Sequence, residues 1–179
     1  LNLEMAATDE MLAIALRHRP HAACIVPERR EERTTEGGLD AAGGQNHLQY
    51  YVSSLTEAGA RVSLFIEPDP VQLEAAAKLG APVVELHTGA FCDAYLEDPD
   101  SARTKNCLER IQKAAAVADA LGLECHAGHG LTFDTVGAVA VIPTIAELNI
   151  GHFLIGEAIF SGLDSAIRRM RALMNKARA

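Results

Sequence analysis

The reading of one stretch decides the fold: Val62-Ser63-Leu64-Phe65-Ile66-Glu67-Pro68-Asp69-Pro70, an amphipathic run to Leu79, then Gly80-Ala81-Pro82-Val83-Val84-Glu85-Leu86-His87. The first apolar run, Val62 to Ile66, has the β-branched and aromatic content of a strand. Pro-Asp-Pro opens a helix predicted over Pro68 to Leu79, with Val71, Ala75 and Leu79 four residues apart and Gly80 as its stop. Val83 to His87 is the next strand. Strand, helix and strand in this order form a βαβ unit, whose crossover makes the two strands parallel.

The alternation continues in both directions. Further apolar runs lie at Leu1 to Met5, Ala22 to Val26, Leu123 to Ala127 and Leu148 to Ile150. Thr8 caps a helix through about Arg17, with Pro20 beyond it. Helical patterns follow over Gln45 to Ala58 and Ser101 to Leu121, the latter with Leu108, Ile111, Ala115 and Ala118 on one stripe. A closing helix runs from Phe153 or Glu157 to about Lys176. Pro27 to Gly44 and Thr88 to Asp100 read as irregular segments after strand ends, where βα architectures bind ligands.

Six strands in βα order suit a doubly wound open sheet or part of a (β/α)8 barrel. The first strand is not followed by Gly-x-Gly-x-x-Gly, so the dinucleotide-binding form of the open sheet loses support. A complete barrel has eight units and about 250 residues; this chain has six units in 179 residues, read as a single partial domain over 1–179.

Composition narrows the function. With 49% hydrophobic and 22% charged residues the chain is a globular domain, and its net charge of −8 excludes the basic surface that nucleic acid requires. It has no apolar run of membrane-spanning length and no basic region followed by an apolar run at its N-terminus, so a cytoplasmic location is expected. Cys24, Cys92, Cys107 and Cys125 form no Cys-x-x-Cys pair and read as reduced packing thiols.

Candidate chemistry sits at strand ends. Glu4 lies in an apolar strand, where desolvation is expected to raise its pKa toward the range of a general acid or base; a solvent-facing strand residue is the alternative. Alternation puts Val83, Glu85 and His87 on one face, so Glu85 and His87 either line a site or satisfy each other. In Cys125-His126-Ala127-Gly128-His129-Gly130, strand geometry points Cys125 and His126 to opposite faces, which disfavours a metal. His129 is the better candidate, as a proton donor at the strand's mouth. After Leu148 the chain either starts a helix near Gly151, offering free amides to a phosphate, or extends the strand to a turn at Gly156. Arg29, Arg30 and Arg33, with Thr34-Thr35-Glu36-Gly37-Gly38, are a basic cluster suited to phosphate or simply solvated.

Seven motifs, in order and spacing, resemble one family: Asn2-Leu3-Glu4-Met5-Ala6, Val26-Pro27-Glu28, Thr34 to Asp40, Val62 to Ile66, Glu85-Leu86-His87-Thr88-Gly89, Ala127-Gly128-His129-Gly130-Leu131 and Glu147-Leu148-Asn149-Ile150-Gly151-His152. They are similar to the pyridoxine 5′-phosphate synthases. The resemblance implies a TIM (β/α)8 barrel, of which this chain holds strands 3 to 8 with their helices. It implies condensation of 1-deoxy-D-xylulose 5-phosphate with 3-amino-2-oxopropyl phosphate to pyridoxine 5′-phosphate, phosphate and water, with no metal and no cofactor. It also implies a homo-oligomer built from dimers.

Residue by residue, the resemblance makes Glu4 the general base, His129 the proton donor and Glu85 a group that stabilises the transition state. Thr34 matches a contact to deoxyxylulose phosphate, and Gly130, Gly151 and His152 match phosphate contacts of the amino-ketone, which favours a helix from His152. The family's first two βα units, with an Asn-x-Asp-His motif and a second catalytic histidine, have no counterpart here. The expectation is therefore a piece of a longer enzyme that enters the barrel at its third strand. Another phosphosugar isomerase or epimerase shares the phosphate loop but leaves Thr34 to Asp40 unexplained; an inactive scaffold fragment is a third reading.

Overall fold

The computed structural model describes residues 1–28 and 37–179. Among the described residues there are six strands: β1 (Asn2–Met5), β2 (Ala22–Ile25), β3 (Arg61–Ile66), β4 (Val83–His87), β5 (Glu124–Gly128) and β6 (Ile145–Asn149). All neighbouring pairs are parallel and the spatial order is the chain order, β1-β2-β3-β4-β5-β6. A doubly wound sheet reverses direction at a switch point. This order never does, so right-handed crossovers put the helices on one face and leave the other as the inside of a half-barrel.

The parity of the strands follows. Leu3 and Met5, Ala23 and Ile25, Val62, Leu64 and Ile66, Val84 and Leu86, and Cys125 and Ala127 belong to the apolar core beneath the helices. The alternate positions, Glu4, Cys24, Arg61, Ser63, Phe65, Glu85, His87, Glu124 and His126, lie on the opposite, inner face.

The helices begin where side chains satisfy their first amides. α1 (Asp9–His18) is capped by Thr8, whose Oγ1 accepts from Met11 N at 3.3 Å. α2 (Gln45–Glu57) buries Leu48, Val52 and Leu55. α3 (Pro70–Lys78) starts on Asp69, which accepts from Val71 N at 2.8 Å, with Pro70 in the first turn. Its buried face runs through Gln72, Leu73, Ala75 and Ala76, so Val71, expected on the stripe, is exposed.

The segment expected to be irregular over Thr88 to Asp100 instead holds α4 (Gly89–Glu97). Phe91, Cys92 and Ala94 are buried there, and this packing creates a helix that carries no side-chain cap. α5 (Ala102–Ala120) is capped by Ser101 and buries Ile111, Ala115 and Ala118 as expected. The short α6 (Val136–Ala140) has no periodic signal of its own and was not foreseen.

The last strand is also longer upstream than the apolar run suggests, because Glu147 and Asn149 alternate with Ala146 and Leu148. The closing helix begins at His152, earlier than Phe153 or Glu157, and is two helices. α7 (His152–Ser161) and α8 (Leu163–Ala177) are separated by Gly162 at φ 82°, a conformation that ends a helix readily only at glycine. No helix among the described residues is long and apolar enough to cross a membrane.

Leu64 is fully buried on the outer face of β3, which has a strand on both sides. Leu64→Ala is expected to cost about 2–5 kcal/mol in urea unfolding. A loss below ~1 kcal/mol would contradict this placement of the core.

Candidate active site

Glu85 is the centre of the inner face. Its side chain is 8% exposed, Asn149 Nδ2 donates to its Oε2 at 2.7 Å, and the Cys24 thiol approaches the same oxygen at 3.7 Å. Its Oε1 occupies the space that a Cβ on Gly128 would need, 2.2 Å from the ideal position. Burial raises the Glu85 pKa to about 7; the charges of Glu4 and Glu147 add to the rise, and the Asn149 and Cys24 hydrogen bonds oppose it. Near neutral pH this carboxyl exists in both forms.

Glu4 stands on β1 in register with Cys24. It is exposed, so the desolvation expected from its apolar neighbours is not found: β1 is an outer strand of the sheet, and among the described residues only β2 pairs with it. The Glu4 charge nevertheless acts on Glu85, Cys24 and His129, which places all of them around one space. Burial pushes the Cys24 thiol far up, so it is a neutral donor there.

His129 follows β5 at φ 77°, in the left-handed region that a non-glycine residue rarely occupies. Thr88 holds it: its Oγ1 donates to the carbonyls of Gly128 at 2.7 Å and His129 at 2.5 Å, and Thr88 itself is fully buried. The ring is solvent-accessible on one side and packs against His87, with centroids 5.0 Å apart, and Phe65, at 6.3 Å, on the other. Desolvation and the neighbouring His87 lower its pKa, while Asp93 and Glu4 oppose the shift. Gly130 continues the turn at φ 80°, where a Cβ would meet Cys92 at 3.1 Å.

Gly151 is the cap position of α7 and has open space around it, and His152 is the first residue of the helix, exposed. The first amides of α7 have no partner within the helix, which suits an anion. His152 is close enough for its charge to lower the His129 pKa. The structure thus brings Glu4, Glu85, His129, Gly130 and His152 to one mouth. Thr34 and the basic cluster of Arg29, Arg30 and Arg33 lie outside the described residues.

Glu85 and His87 do not satisfy each other. His87 Nδ1 pairs instead with Glu67 Oε1 at 3.0 Å. Deeper in the interior His126, 5% exposed, bonds Glu124 at 2.7 Å and faces Glu147 at 3.7 Å, and Glu124 is also paired with Arg61. Among the described residues no three His, Cys, Asp or Glu side chains are grouped to hold a metal. Asn149, Cys24, Thr88 and Glu67 carry the geometry of the site; Thr88 and Asn149 lie within the motifs quoted above without a role assigned to them there, and Asn149 reaches Glu85 from two strands away, across β5.

The ionised Glu85 costs stability, because its pKa in the fold lies above its ordinary 4.5. The cost grows as pH rises from about 4.5 to about 7 and is constant above. Glu85→Gln is therefore expected to gain on the parent by at most roughly 3–3.5 kcal/mol at pH 8 and by little at pH 4.5. Urea unfolding at both pH values measures it; a gap that does not widen with pH contradicts the burial described. Gly128→Ala is expected to lose about 1–3 kcal/mol and to displace Glu85, whereas Gly137→Ala, with nothing near its Cβ, is expected to be neutral or stabilising.

A family model described as "Pyridoxal phosphate biosynthesis protein PdxJ" matches residues 1–176. The pyridoxine 5′-phosphate synthase of Rhodospirillum rubrum is 72% identical over 177 residues, 99% of this chain and 70% of the relative. Those of Ruegeria pomeroyi and Caulobacter vibrioides are 61% and 63% identical, covering 100% and 99% of this chain and 72% and 70% of their own lengths. Among solved structures, a xylose isomerase domain protein from Planctomyces limnophilus aligns with a TM-score of 0.62 at 14% identity, over all of this chain and 71% of its own. A HpcH/HpaI aldolase/citrate lyase family protein from Burkholderia cenocepacia aligns at 0.58 and 13%, over 98% and 76%. At such identities these two report the barrel-like fold alone.

Proposed function

This chain belongs to the pyridoxal phosphate biosynthesis protein PdxJ family, whose matched relatives are pyridoxine 5′-phosphate synthases, and we propose that it condenses 1-deoxy-D-xylulose 5-phosphate with 3-amino-2-oxopropyl phosphate. The products are pyridoxine 5′-phosphate, phosphate and water. The observation that supports the residue roles is the convergence of Glu4 on β1, Glu85 at the middle of β4 and His129 just beyond the C-terminal end of β5 around one space.

Carbon–nitrogen condensation, dehydration and ring closure each move a proton, so the pocket needs a base, an acid and a group that tolerates changing charge. Glu4, exposed and able to reach substrate, acts as the base. His129, whose lowered pKa makes its protonated form a ready donor, acts as the acid. Glu85, with a pKa near 7 and both oxygens fixed, stabilises charge that develops beside it. Gly130, Gly151 and His152 hold the phosphate of the amino-ketone, and Thr34 contacts the deoxyxylulose phosphate.

We further infer that β1 to β6 are equivalent to the third to eighth strands of an eight-stranded barrel. The unbroken strand order supports this, as does the free-amide turn after β6, because barrel phosphate sites use the loops after the seventh and eighth strands. Each outer strand, β1 and β6, has one paired edge, and α7 leaves Ile155, Ile159 and Phe160 exposed, surfaces that barrel closure and a homo-oligomer of dimers would cover.

Supplying both substrates to the enzyme at its relatives' full length, and following pyridoxine 5′-phosphate by chromatography, tests the reaction. No product with both substrates bound would overturn it. Glu4→Gln is expected to lower kcat about 10²–10⁴-fold with little change in KM. Equal turnover in that variant removes Glu4 from the base role.

A further inference from the structure

Glu67 and His87 carry none of the roles assigned above, yet both are buried, 4% and 8% exposed, and they are in contact. Glu67 Oε1 lies 3.0 Å from His87 Nδ1 and also accepts the Gly38 amide at 2.8 Å. A carboxylate acceptor at Nδ1 puts the hydrogen on that nitrogen and turns Nε2 toward Gly89. A Cβ on Gly89 would lie 2.7 Å from His87 Nε2 and 3.2 Å from His129 Cδ2, so the two imidazoles meet over a position that only glycine can fill. Their centroids are 5.0 Å apart at 51°, and Phe65 stands edge-on to His87 at 5.1 Å.

Two buried ionisable groups are costly, and a pair of this kind is often replaced by apolar residues without loss of stability. Filling the core is therefore not a sufficient reason for them. We propose that Glu67 and His87 are a positioning pair for His129: the carboxylate fixes the His87 ring, and the fixed ring sets the orientation of the His129 imidazole. This rests on the reading of His129 as the proton donor. Thr88 pins the His129 backbone from beneath, and His87 confines its side chain.

The groups that face His129 come from five elements: His87 on β4, Glu4 on β1, Asp93 on α4, His152 at the start of α7, and the apolar Phe65 on β3. After desolvation, His87 is the largest influence lowering its pKa, and the two carboxylates act the other way. The neighbouring His87 ring thus makes the protonated form of His129 the stronger acid.

The test uses the full-length enzyme with both substrates. His87→Asn keeps a donor for Glu67 but removes the ring; kcat is expected to fall roughly tenfold or more while KM stays within about twofold. The limb of the kcat profile that reports loss of the His129 proton is expected to move to higher pH, and the His129 ring resonances to titrate higher in the same variant. Glu67→Gln leaves an acceptor for the Gly38 amide, removes the charge facing His87, and is expected to lower kcat in the same sense. If His129→Asn is inactive while a folded His87→Asn keeps the parent's turnover and pH profile, the positioning pair is overturned and the donor role stands. If His129→Asn itself turns over normally, the donor reading fails first. Should His87→Asn not fold, an unchanged kcat in Glu67→Gln overturns the pair.

Discussion

The Glu85 carboxylate, with Oε2 on the Asn149 amide at 2.7 Å and Oε1 in the space above Gly128, joins three consecutive strands, reaching along the inner face to the next inward positions of β5 and β6. A charge-capable group in the middle of a parallel sheet is tolerated only where neighbours give up volume and offer donors. Gly128 gives up its side chain, Asn149 supplies an amide, and Cys24 adds a thiol from the other side of the half-barrel. The turn after β5 and the start of α7 both continue directly from these residues. The positions of His129, Gly151 and His152 therefore depend on how Glu85 is housed.

The same housing explains the division of labour between two polar layers. Beside Glu85, Arg61, Glu124, His126 and Glu147 form a chain of polar contacts, and the Arg61 and His126 hydrogen bonds hold the Glu124 carboxyl down to about 2. The Glu124 carboxyl therefore stays ionised across the physiological range. Around and above Glu85 the opposite holds: burial lifts the carboxyl to about 7 and lowers the pKa of His129. An Arg61–Glu124 pair fixed in its charge on one side and titratable groups at the mouth suit a pocket where protons move only at the mouth. The difference lies in partners: Glu124 is hydrogen-bonded by the Arg61 guanidinium and the His126 ring, whereas Glu85 has neutral donors and carboxylates nearby.

Much of this was legible in the sequence. The Val62 to His87 stretch contains both periodicities in succession, so β3, α3 and β4 follow from it with only the register of the α3 stripe misplaced. There Gln72 took an inward place, bonding Asp40 and the Ala42 amide, and Val71 was left outside. The parity argument located Glu85 and His87 on the inner face but not their partners, because Glu67, Asn149 and Cys24 come from other strands and loops. Pairing across a sheet is set by the register between strands, and a single strand does not encode it.

α4 and Glu4 show the two ways in which tertiary context overrides a local pattern. Residues 88 to 100 lack a capping side chain and a long stripe, yet Phe91, Cys92 and Ala94 find a buried surface and form α4. That helix start is what brings Gly89 beneath the two imidazoles. In Glu4 the direction is reversed: apolar neighbours predict desolvation, but those neighbours face the helices, and the carboxylate faces an interior bounded by β2 on one side only. An amphipathic strand reports the polarity of its faces and not the depth of either. For Glu4 this exposure is compatible with a base that must reach substrate, whereas the buried Glu85 and His87 are suited to holding charge and geometry around it.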